Sequence, residues 1–176
     1  MTLGIVKRVM NSLTPSLKPD DYQLIDSYLD EPGKFLFSQM SRSDQHHAMA
    51  VARAIINDQR ISKQLNRECL IKAALLHDIG KVEGDFNFLS RLMVGFIRRF
   101  TPTLRGKLAL TQPNTFWQKV RYSFYVDLIH PARGAHMARI FGIDPEVVEM
   151  IRRHHDPPGQ DQSPELTWLQ LADNRN

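Results

Sequence analysis

Five apolar helical stripes in this sequence run into an ionisable residue. Val51, Ala54 and Ile55 share their face with His47, and Leu70, Ala73 and Ala74 lead into His77 with Asp78 beside it. His130 stands just ahead of the stripe Gly134, Met137, Ala138 and Phe141. Val147, Val148 and Ile151 continue into His154 and His155, and Leu166 and Leu169 into Asp173. One histidine on an apolar face is usually a hydrogen-bonded core residue. Five such places in one small core are a different matter, because each uncompensated buried ionisable group costs several kcal/mol. A bound cation is the economical partner, and imidazole and carboxylate groups gathered from several helices are a known way of building a dinuclear site. The adjacent pair His77-Asp78 is the most telling. Neighbours on a helix point about 100° apart and reach a common ion only near the helix axis. A carboxylate can place one oxygen on each of two ions, which makes Asp78 the natural bridge.

The elements that must carry these residues are helical. Apolar residues recur at helical spacing nearly throughout, strand-like alternation is scarce, and no Asn-Gly or Asp-Gly hairpin signal occurs. Helices are expected over Pro19–Leu29 (ended by Asp30-Glu31-Pro32-Gly33), from a cap at Ser43 or Asp44 to about Asp58, and from Asn66 through His77 with Gly80 as the residue after its end. Further helices are expected over Leu89–Phe100 and Thr115–Leu128, with a loop between them at Leu104–Asn114. Another starts at His130-Pro131 as N-cap and N1 and stops at Gly142. One starts at Asp144-Pro145, and the last at Ser163-Pro164. The expectation is an all-α, single-domain bundle of about seven helices over residues 1–176.

The motifs resemble those of the HD-domain superfamily of metal-dependent phosphohydrolases, in its HDIG branch. The resemblance is carried by HHAMAVA (His46–Ala52), LLHDIGK (Leu75–Lys81), HPARGA (His130–Ala135), IRRHHD (Ile151–Asp156) and LADN (Leu171–Asn174), and runs from about Ser43 to Asn176. It implies a helical bundle in which His47, His77, Asp78 and Asp173 hold one metal, and Asp78, His130 and His154 a second. His46 is the alternative to His47, and spacing to Val51-Ala52 favours His47. By the same resemblance Asp78 and Lys81 are the catalytic residues, and Lys81, His155 and Arg133 meet the substrate. The cofactor would be two divalent ions, and ligands of this kind suit Mn, Fe, Co, Ni or Zn alike. Two such ions roughly 3.5–4 Å apart activate a water for attack on phosphorus. The implied activity is therefore hydrolysis of a phosphoester or phosphoanhydride, with a phosphorylated small molecule, a nucleotide in particular, as substrate. Alternatives are a di-iron oxygenase with the same ligand set, or a regulatory module that binds without turnover. The cyclic-di-GMP phosphodiesterases of this group continue into a Gly-Tyr-Pro motif, whereas this chain reads DPPGQDQSPEL, and Ser43 stands where their three-metal members carry a Glu.

Composition bounds the rest. The chain has 176 residues with 42% hydrophobic and 24% charged, ordinary globular values that exclude a disordered or fibrous chain. The single cysteine, Cys69, excludes a disulfide framework and points to a reducing compartment, so the expected location is the cytoplasm. No apolar run approaches ~20 residues, and MTLGIVKRVMNS carries no secretory pattern. The net charge is +4, yet Phe86–Val126 contains no Asp or Glu and carries Arg91, Arg98, Arg99, Arg105, Lys107, Lys119 and Arg121. Three readings of this insert follow in descending order: a solvated face, a collar steering polyanionic substrate to the site, and a membrane-surface helix over Leu89–Phe100. No specific nucleic-acid motif is visible.

Overall fold

In the order α1 Pro19–Tyr28, α2 Glu31–Ser38, α3 Arg42–Asn57, α4 Arg67–Leu76, α5 Phe88–Phe100, α6 Leu104–Leu108, α7 Phe116–Ile140, α8 Pro145–Arg153 and α9 Pro164–Arg175, the described residues form nine helices. The computed structural model describes residues 16–62, 64–101, 103–159 and 161–176, and contains no strand there, only an isolated bridge between Met40 and Val82. The leading MTLGIVKRVMNS and Pro102, expected to help end α5, lie outside the described residues. The all-helical expectation holds, with more helices than the pattern suggested.

The centre of the bundle is α4. Cys69, Leu70, Ile71, Ala73, Ala74, Leu75 and Leu76 are all buried, so this helix is apolar on every side, as a helix enclosed by others must be. It packs against α1, α2, α3, α8 and α9. Ala73 and Ala74 keep it thin enough for that many neighbours. The main core joins Leu36, Ala48, Val51, Ile55, Leu75, Ile151 and Leu169 around it.

Four boundaries differ from expectation for local reasons. Asp30-Glu31-Pro32-Gly33 ends α1 and also starts α2. The Asp30 carboxylate accepts the Gly33 N–H at 3.0 Å, and Pro32 sits in the first turn, where its missing N–H costs nothing. The cap of α3 is Ser41, whose side chain accepts the Asp44 N–H. The expected loop at Leu104–Asn114 contains the short α6. Most consequentially, His130-Pro131 does not start a helix; α7 runs straight through Pro131. Pro131 has no N–H for the Asp127 carbonyl, and the His130 ring supplies one instead, its Nδ1 lying 2.9 Å from that oxygen.

The first half of α7 belongs to a second, smaller cluster. Val94, Val120 and Phe124 are its buried centre, with Leu89, Met93, Ile97 and Leu108 packed around them. The basic segment thus folds as α5, α6 and the start of α7 on a small core of its own. The second half of α7 packs on α8 in the main bundle.

Candidate metal centre

The residues singled out by type and spacing converge. His47, His77, Asp78, Lys81, His130 and His154 are buried, and Asp173 is close to it. The expected helical setting of two of them is wrong in an informative way. His77 and His154 are not in helix interiors; they follow the last turns of α4 and α8 as C-caps. Each ring turns back onto its own helix. His77 Nδ1 lies 2.9 Å from the Ala74 carbonyl, and His154 Nδ1 2.7 Å from that of Ile151. With His130 on Asp127, three imidazoles repeat one device. A carbonyl only accepts, so each Nδ1 carries the proton, and in the neutral ring each Nε2 is left with its lone pair facing inward.

Those lone pairs meet little that can donate to them. His77 Nε2 is buried with no hydrogen-bond partner among the described residues. His130 Nε2 and His154 Nε2 face each other at 3.2 Å. Two acceptors at that distance repel unless a cation stands between or beside them. Burial pushes His77 and His130 down to about 4, so neither gains that relief by taking a proton at neutral pH.

Asp78 lies between two groups of ligand atoms. One is His47, His77 and Asp173, and the other is His130, His154 and His155. Asp78 Oδ2 is 3.6 Å from His77 Nε2, while Oδ1 is 3.3 Å from His130 Nε2 and 3.7 Å from His154 Nε2. Burial works to raise its pKa, but the Lys81 ammonium, 2.7 Å from Oδ1, and the surrounding histidines hold it well below the carboxylate range. His47 Nε2 is 2.8 Å from Asp173 Oδ1, so these two groups are paired with each other. His155 joins the second group: its ring centroid is 4.3 Å from that of His154 and 4.9 Å from that of His130. As a residue His155 is exposed, with its side chain 26% accessible, but the enclosure of its ring, then the neighbouring His154, lowers its pKa. The donor chemistry of both groups fits divalent transition metals.

Gly80 has a different role from the one expected. Only Gly84 and Gly142 have positive φ among the described residues, so Gly80 is not a left-handed helix stop. It is where the turn after α4 crosses α7. A Cβ on Gly80 would stand 2.0 Å from the His130 carbonyl oxygen, and one on Gly134 would stand 3.0 Å from the Gly80 nitrogen. This pair of glycines sets the approach of Asp78 to His130.

A cavity of about 480 Å³ opens from this centre. Lys81, His154, His155 and Asp173 line it on one side, and Arg91, Arg98, Arg99 and Arg105 from the insert on the other. Arg133, expected at the substrate, is instead 2.7 Å from Asp85 and is not part of the cavity wall. His136 is exposed.

Several contacts that matter here join residues remote in sequence. Arg91 holds the buried Asp44 with two bonds of 2.8 and 2.7 Å and Ser41 with a third of 2.6 Å, fastening the insert to the start of α3. Asp127 takes Arg105 at 2.8 Å, with Arg98 at 3.9 Å. Gln170 donates to the carbonyls of Arg153 and Asp156 at 3.1 and 3.0 Å, bracing the turn that presents His154 and His155. Its signal was a polar residue directly after Leu169 on a core-facing stripe. No comparable signal marked Asp44 or Asp127, because their partners are remote in sequence.

The sequence model of the HD domain family matches residues 45–101. The match covers His47, His77, Asp78 and Lys81 and supports the HD-domain superfamily. His130, His154 and Asp173 lie beyond it, and here the convergence of side chains carries the assignment. No curated protein and no solved structure matches the chain.

Proposed function

We propose that the protein is a metal-dependent phosphohydrolase of the HDIG branch that cleaves a phosphoester or phosphoanhydride, with a nucleotide as the favoured substrate. The observation that carries this is the set of inward Nε2 lone pairs of His77, His130 and His154 around the two-sided Asp78. His47, His77, Asp78 and Asp173 would hold one divalent ion and Asp78, His130 and His154 another, with His155 beside the second. Such ions supply Lewis acidity and a water ionisable near neutral pH.

The chain's own residues do the rest. The carbonyls of Ala74, Asp127 and Ile151 fix ring tautomer and direction, as outer partners of metal-bound histidines do. Lys81, on the cavity wall and paired with Asp78, is placed to neutralise a phosphoryl oxygen. Phe86, Val94 and Pro158 give the cavity apolar surface for a base opposite polar groups, and about 480 Å³ suits a ligand of nucleotide size. The missing Gly-Tyr-Pro stretch disfavours cyclic-di-GMP.

The test is metal analysis of the purified protein followed by a phosphate-release screen over nucleotides, dinucleoside polyphosphates, cyclic dinucleotides and an aryl phosphodiester. Metal-dependent release from a nucleotide is expected. Stoichiometric metal with no phosphate release from any of them contradicts the reading.

A further inference from the structure

The apolar face of α5 is divided. Leu89, Met93, Val94 and Ile97 pack onto the small core of the insert. Leu92, Phe96 and Phe100 do not: they are 42%, 56% and 56% exposed. Residues four apart lie on one helix face, and the Phe96 and Phe100 rings hold each other at 4.7 Å between centroids. Half of the exposed large apolar side chains among the described residues lie between Phe86 and Val126, about a quarter of the chain.

The segment that carries this stripe is cationic. Arg99 is about 20° from Leu92 around the helix at 100° per residue, and its guanidinium lies 5.6 Å from the Phe100 ring centroid. Arg99, Lys107, Lys119 and Arg121 are exposed and, among the described residues, in no ion pair; no acid lies anywhere from Phe86 to Val126. Arg99 and Gly95 also line the cavity, so the stripe borders its mouth.

We propose that α5 seats the protein on an anionic lipid surface, with Leu92, Phe96 and Phe100 in the interface and the insert's cations on the headgroups. No helix of the described residues is long and apolar enough to cross a membrane, so the contact is peripheral. An exposed apolar stripe with an Arg on its face, in a segment of Lys and Arg without acids, is the chemistry such a surface recognises. A second copy of this chain fits poorly. A stable dimer takes roughly 20–30 residues from each side, and a two-fold contact here would set Arg99 and its neighbouring cations against themselves.

The experiment is sedimentation of the full chain with vesicles of pure phosphatidylcholine and of phosphatidylcholine with 30% phosphatidylglycerol, a composition of about the surface charge that juxtamembrane basic segments respond to. The protein is expected to bind only the anionic vesicles, and more weakly as salt rises. Phe96→Ser with Phe100→Ser is expected to weaken binding about tenfold or more, with metal content and hydrolysis of a soluble ester unchanged. Lys107→Glu with Lys119→Glu, which leaves the apolar stripe intact, is expected to weaken it as well. Asp78→Ala, expected to be inactive, should bind vesicles like wild type, so lipid docking and the catalytic assignment fail separately. Absence of binding to anionic vesicles at low salt overturns the proposal. So does undiminished binding by both double variants, or a dimer in light scattering that the Phe96/Phe100 variant abolishes.

Discussion

The two halves of α7 work in different surroundings. From His130 onward the helix faces the main bundle, where glycines touch backbone and the Nδ1 atoms of His77, His130 and His154 are tied to carbonyls. Before His130 it faces the insert, whose buried centre is three side chains and which carries half of the exposed large apolar side chains among the described residues. The first region is over-determined, as a site must be if it holds ligand atoms in place. The second has surplus apolar surface and surplus charge, the marks of a region that meets something else. Position is built in the one, and contact is offered by the other.

This contrast can be broken at either end. The largest expected effect is on activity: Asp78→Ala removes the group shared by both ligand clusters and should abolish hydrolysis and lower metal content, while the exposed His136→Ala leaves both near wild type, as metal assay and phosphate release would read. Next comes a pair of glycines. Gly80→Ala forces a Cβ against the His130 backbone and should destabilise by about 3 kcal/mol, whereas Gly106→Ala in α6 meets nothing within 4 Å and should be neutral or gain up to about 1 kcal/mol. Denaturant melts of the two variants compare the regions directly; equal losses would erase the distinction.

A third effect is on the acid side of the stability profile. Burial lowers His77 and His130 from 6.5 to about 4. Between those values the unfolded chain binds more protons than the folded one, so stability falls as pH falls. The metal-free protein should lose stability steadily from pH 6.5 to about 4, with no further loss from these two groups below that. A melting temperature flat over this window would mean the rings are wetter than their burial indicates. The smallest effect concerns the arginines at the cavity. Replacing Arg98, Arg99 and Arg105 with Gln should lower kcat/KM for a highly charged phosphate at 0.01 M salt, where the Debye length is ~30 Å, and much less at 0.1 M, where it is ~10 Å, with kcat and metal content preserved. Arg99→Gln alone should give part of that loss, because Asp127 offsets only one of the two charges on Arg98 and Arg105.

The candidate ligand residues were legible because burying a histidine or aspartate on an apolar stripe is conspicuous at helical spacing. The helix ends were less so. His77 and His154 look like continuations of their helices, since a capping ring keeps the same register as a stripe residue for one more turn. Pro131 reads as a helix start unless one knows that the preceding ring can replace its missing donor. Asp30 reads as a stop because one residue serves both as an end and as a cap. The acids around the insert, Asp44 and Asp85 before it and Asp127 just after it, could not be matched to their partners Arg91, Arg133 and Arg105 from order alone. Periodicity also assigns all of α5's apolar residues to one face, without telling which of them the fold buries and which it leaves outside.

The most direct test of the central claim is a count of bound metal by elemental analysis after loading with Mn, Fe, Co, Ni or Zn in turn. If the two ligand groups on either side of Asp78 are what their lone pairs indicate, at least one of these ions should bind at two per chain. His130→Gln should then retain about one, and Asp78→Ala should retain neither tightly. Wild-type protein that holds none of the five ions through desalting would contradict the account.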